Sequence, residues 1–102
     1  MDRDETIRAI RAALKRRSGK AWSVTGGRGT AWGWITIDVP PAGRADAAAR
    51  DAGRHELRRL LGLEPCRWAR NETIPSANDY YREYLDRADG LVPSVVGTPY
   101  WD

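Results

Sequence analysis

The chain predicts an α+β domain: a small, mainly antiparallel sheet, made of a hairpin and a short third strand, packed through one face on helices in the order α-β-β-α-β-α. Three observations carry this expectation. Apolar residues recur at helical spacing in three separate segments, residues 30 to 37 alternate with period two, and glycine or proline separates each segment from the next.

The first helix is expected from about Arg3 to Arg16. Asp2 and Glu5 have the spacing of a capping box, Ile7, Ile10 and Leu14 share one face, and Ser18-Gly19 stops the helix. Arg8, Arg11 and Lys15 project within roughly 60° of one another beside that apolar stripe and form a basic ridge. The hairpin follows, with strands over residues 20 to 25 and 30 to 37 joined by "GGRG". Along the second strand Ala31, Gly33, Ile35, Ile37 and Val39 share one side, and Thr30, Trp32, Trp34 and Thr36 share the other. Trp22 and Val24 join either side, depending on where the glycines bulge.

"VPPAG" at 39 to 43 is a rigid connector, because proline cannot continue a ladder. A second helix is expected from Ala45 or Asp46 to Leu61, with Ala49, Gly53, Leu57, Leu60 and Leu61 inward. Gly62, Leu63 and Pro65 form its stop. "CRWAR" at 66 to 70 reads as the third strand. "SAND" at 76 to 79 reads as a capping box opening a third helix through "YYREYLDRA", ended by Gly90, with Tyr81, Tyr84, Leu85 and Ala88 buried and Tyr80 at the margin. The apolar tail "LVPSVVGTPYWD" is expected to fold back on the domain, anchored by Tyr100 and Trp101.

Length and composition narrow the function classes. At 102 residues the chain fits one domain without a large internal cleft, so a surface site is favoured. No apolar run has the length of a membrane span, and the acids near Met1 interrupt any signal-like stretch, so the expected location is cytoplasmic, with no membrane partner. A single cysteine, Cys66, excludes an internal disulfide, fits a reducing compartment and reads as a small buried residue. With only His55 beside it, ordinary Cys/His zinc ligation within one chain is excluded. Residues 1 to 37 hold eight Lys/Arg against three Asp/Glu, whereas the remainder holds nine against eleven. That asymmetry directs an anionic partner to the N-terminal half; a general abundance of arginine accounts for it equally.

Several glycine motifs fail on spacing. "SGKA" follows a helix and lacks the first glycine and the final Ser/Thr of a phosphate-binding P-loop, and "GRGTAW" puts Trp32 where a dinucleotide fingerprint needs its third glycine. A kinase glycine loop fits only after an insertion, and no kinase lysine or catalytic loop accompanies it. His55 reads as a surface residue, and Asp79, Glu83 and Asp86 read as a solvated helix flank. Neither suggests acid/base work, so no catalytic residue, cofactor or metal site is expected.

The segments "SGKAWSVTGGRGTAWGWITIDVPP", "IPSANDYYREYLDRADG" and "GTPYWD" resemble a group of short uncharacterised proteins of bacteria and their mobile elements. The resemblance extends over most of the chain. It implies a design in which the hairpin and the terminal aromatics belong together, and it brings no site residue or activity.

What remains is the hairpin. Glycines 26, 27 and 29 let backbone N–H groups approach a phosphate, Arg28 stands at the tip, and Trp32 and Trp34 offer rings for stacking bases. The expected function is therefore non-catalytic binding of nucleic acid, single-stranded by preference, through Arg8, Arg11, Lys15, Lys20, Trp22, Arg28, Trp32 and Trp34. The alternative is a protein-binding module or inhibitor using the same aromatic face as a hot-spot patch, for example a mobile-element factor that blocks a host protein. Homodimerisation through that face, or burial of the rings beneath the tail, would make the tryptophans structural.

Overall fold

A computed structural model describes residues 2–93, 95 and 96. The order is α1 (Arg3–Ser18), β1 (Ser23–Gly26), β2 (Ile35–Asp38), α2 (Ala47–Leu60), β3 (Glu72–Ile74) and α3 (Asn78–Ala88), with short 3₁₀ turns at Gly29–Ala31 and Pro41–Gly43. The strands form one antiparallel sheet in the order β1-β2-β3. The α+β class and element order are as the sequence predicts.

Register sorts the sheet into two chemistries. Val24 lies opposite Ile37, and Ile35 opposite Ile74. All four are fully buried with Ile10, Leu14, Leu57 and Leu61. On the other face Thr25, Thr36 and Thr73 stand in one row across the three strands, beside the Ser23–Asp38 pair. The sheet therefore buries an aliphatic side and turns a polar side away from the core. Trp22, two residues before Val24, joins the core, and its Nε1–H donates to Ser18 Oγ at 2.8 Å. That bond satisfies the indole donor, which a buried tryptophan requires.

Helix ends follow local chemistry. The Glu5 N–H donates to Asp2 Oδ1 at 2.8 Å, holding that carboxyl below its usual range, and Gly19 closes α1 at φ 75. Asp46 caps α2 through Ala48 N–H. At the far end Gly62 has φ 67, the Gly62 N–H donates to Arg59 O, and the Leu63 N–H donates to Arg58 O, the paired bonds of a Schellman stop. Gly90 ends α3 in the same way, with Leu91 N–H on Asp86 O. The expected "SAND" box does not form: the N-cap of α3 is Ala77, with no side-chain cap.

Arginines fasten these helix ends to each other. Arg17 donates to Leu60, Arg87 and Ala88 carbonyls, and Arg87 donates to Leu61 and Gly62 carbonyls while pairing with Glu83 at 3.0 Å. Cations thus meet the negative ends of two helices. Glu83 is buried, which corrects its reading as part of a solvated flank: α3 turns it inward, beside Arg87.

Two carboxylates near one end of the sheet shift in opposite directions. Burial alone would raise Asp38, but both Arg54 nitrogens, the Val39 N–H and the Arg54 and Arg44 charges outweigh it and hold Asp38 below its usual range. Glu72 has one guanidinium nitrogen of Arg58 at 2.9 Å, and there burial prevails and raises it. Asp38 has more donors around it, and Glu72 is the more strongly desolvated of the two.

Other expectations need correction. Residues 66 to 70 are a turn-containing loop, and the third strand begins at Glu72. Cys66 is exposed on that loop, where Ala69 is the buried residue, and Ala49 is exposed near the start of α2. Of the tail, Leu91, Val92 and Val96 are exposed, against the expectation that it covers its apolar residues, and the expected anchors Tyr100 and Trp101 lie outside the described residues. Among the described residues no helix is long and apolar enough to cross a membrane, and no group of three His, Cys, Asp or Glu could hold a metal ion.

Candidate nucleic-acid interface

The hairpin is shorter in its strands and longer in its loop than its alternation suggests. Residues 27 to 34 form the connection, closed by a bond from Gly27 N–H to Trp34 O at 2.7 Å. Inside it the chain makes a 3₁₀ turn, with Ala31 N–H on Arg28 O, Trp32 N–H on Gly29 O and Trp34 N–H on Ala31 O. Two glycines make this possible. Gly29 sits at φ 58, and a Cβ on Gly27 would collide with the Ala31 carbonyl. Strand propensity over residues 30 to 34 yields to these local backbone bonds.

Arg3, at the first position of α1, locks the loop. Its Nη1 donates to Gly27 O at 3.2 Å and Trp32 O at 2.9 Å, and its guanidinium carbon lies 3.8 Å from the centre of the Trp32 ring. Gly26 leaves the space, since a Cβ there would strike the Arg3 guanidinium. On the opposite flank the Tyr81 hydroxyl donates to Gly33 O, and Ser76 fills the position a Gly33 Cβ would need. The loop is fixed from both sides.

On this support Trp32 is 54% exposed and Trp34 36% exposed. Arg28 between them and β1 is exposed, and its side chain has no partner among the described residues. The tip therefore combines two accessible rings with a cation free to meet an anion. The Arg3 guanidinium lies against the Trp32 ring while more than half of the residue stays exposed.

The remaining predicted residues divide. Arg8 and Lys15 are exposed on α1, with no side-chain hydrogen bond or ion pair among the described residues. Arg11 lies on the same ridge but spends Nη2 on Val24 O at 2.7 Å, on the edge strand. Lys20 and Trp22 precede β1, at the end of that strand away from the tip. Lys20 pairs with Glu56, and the Trp22 ring, 2% exposed, has no face for a base. Trp22 is thus removed from the platform because β1 carries its parity into the core. Of the eight basic residues in the first 37, Arg3, Arg11, Arg16, Arg17 and Lys20 are engaged within the protein. The charge asymmetry largely serves the fold, and Arg8, Lys15 and Arg28 remain for a partner.

Two features escaped the sequence reading. Arg3 reads in the sequence only as a helix residue, because its partners lie 24 and 29 positions away. Trp68, 72% exposed with the Arg67 guanidinium 5.4 Å from its ring, was absorbed into an expected strand. The proline at position 65 and the paired arginines at 67 and 70 were the available signals of an exposed loop. No protein family, curated protein or solved structure matches this chain.

Proposed function

We propose that the protein binds single-stranded nucleic acid, without catalysis, through the hairpin tip. The observation that carries this reading is the juxtaposition of two exposed tryptophans with the unpartnered Arg28 on a loop held by Arg3 and Tyr81. A ring held in place stacks on a base with little further loss of side-chain entropy, and sequence-tolerant stacking is the usual mode for single strands. Arg28 contacts phosphate, and Arg8 and Lys15 add steering charge.

Fluorescence titration with an oligothymidine at two salt concentrations tests this. Three phosphate contacts predict a slope of about −2 in log K against log salt. Trp32→Ala and Trp34→Ala should each weaken binding by about 1 to 3 kcal/mol with the fold retained. Absence of binding by the intact protein at low salt would overturn the proposal and leave the protein-binding alternative to be tried.

A further inference from the structure

We infer that the 66–70 loop is a second stacking point for the same nucleic-acid strand, reached across the polar face of the sheet. The inference rests on the proposed single-strand binding. Trp68 is the most exposed tryptophan among the described residues, and Arg67 lies against its ring. Arg70 is exposed and without a partner among the described residues. Buried Ala69 pins the loop between these outward groups. An indole exposed to this extent with a guanidinium beside its ring is the same pairing of ring and cation found at the hairpin tip, and Arg70 follows two residues on.

Sheet register relates the two sites. Gly26 and Ile35 lie at the tip end of the hairpin, and Ile35 faces Ile74; Ile37 faces Glu72, so β3 enters from the other end. The 66–70 loop immediately precedes that entry. Trp34 and the level of Asp38 are separated by roughly 14 Å of strand. The intervening face presents the Thr25, Thr36 and Thr73 row, and its one acid, Asp38, is neutralised by Arg54. A polyanion crossing these strands meets the threonine hydroxyls and a carboxylate already paired with a guanidinium. An oligonucleotide must span several nucleotides to engage both ends, within the ~4–16 nucleotide range of single-strand-binding folds.

The test compares thymidine oligomers of about 2 and about 16 nucleotides on the full chain, with thermal melts of each variant; the shorter cannot bridge the two ends. Trp68→Ala should lower affinity for the longer oligomer about tenfold and leave the shorter within about twofold, whereas Trp32→Ala should weaken both. Trp68→Phe should restore most of the loss. Unchanged affinity of Trp68→Ala for the longer oligomer, with Trp32→Ala weakened, would overturn this inference and leave the hairpin-tip reading standing. Failure of the intact protein to bind either oligomer would overturn both.

Discussion

Replacing Arg3 by alanine removes the group that joins the start of α1 to the hairpin loop. Two charge-assisted bonds to Gly27 O and Trp32 O and the stack on Trp32 are lost. Hydrogen bonds to charged groups contribute about 1.5 to 3 kcal/mol when buried, and less here because the Trp32 bond is solvent-exposed. A cation–π contact adds about 0.5 to 1 kcal/mol. The Asp4 bridge adds little, since that carboxylate is mostly in water. The net expectation is about 2 kcal/mol, or a fall in Tm of roughly 8 to 16 °C for a domain of this size. Thermal unfolding followed by circular dichroism reads this directly, and acrylamide quenching should show Trp32 more accessible. Arg3→Lys should recover less than half, because an ammonium cannot stack flat and reach two carbonyls as a fork. Asp4→Ala should be neutral within about 0.5 kcal/mol. A Tm for Arg3→Ala within about 2 °C of wild type would refute the claim that Arg3 holds the loop.

Trp22→Ala should cost about 3 to 5 kcal/mol in denaturant unfolding, against less than about 0.5 for Trp68→Ala, because one ring is in the core and the other in water; equal costs would contradict that partition. Gly62→Val should lower stability by at least about 1 kcal/mol by forcing a β-branched residue to φ 67, and an unchanged urea midpoint would show that the Schellman stop is dispensable. Burial, then the Glu72 and Glu83 charges, push the Tyr84 phenol from 10.0 up to about 12. Because the folded value is raised, its contribution is present below pH 10 and lost as pH rises through about 12, so wild type should lose more stability than Tyr84→Phe between about pH 9 and about pH 11.5. Parallel losses in the two proteins would dismiss Tyr84 as the source.

Features that depend on near neighbours along the chain are legible before folding is considered. Period and caps specify α1 and α2, Gly19, Gly62 and Gly90 end all three helices in the left-handed region, and alternation assigns Ile35, Ile37 and Val39 to the core. The tip residues Arg28, Trp32 and Trp34 were legible as a group for the same reason, since a single loop contains them. Which other side chains are free to act is set by long-range packing. Register sent Trp22 inward, Arg3 and Tyr81 reached the hairpin from distant helices, and Arg11 and Lys20 were taken up by Val24 and Glu56. Likewise the loop before β3 left Trp68 in solvent where local alternation suggested a strand. Backbone propensity and capping act over a few residues and can be read in order. Whether an arginine is spent on a helix end or left for a phosphate depends on which carbonyls and carboxylates folding brings within about 3 Å of it, and those lie far away in sequence.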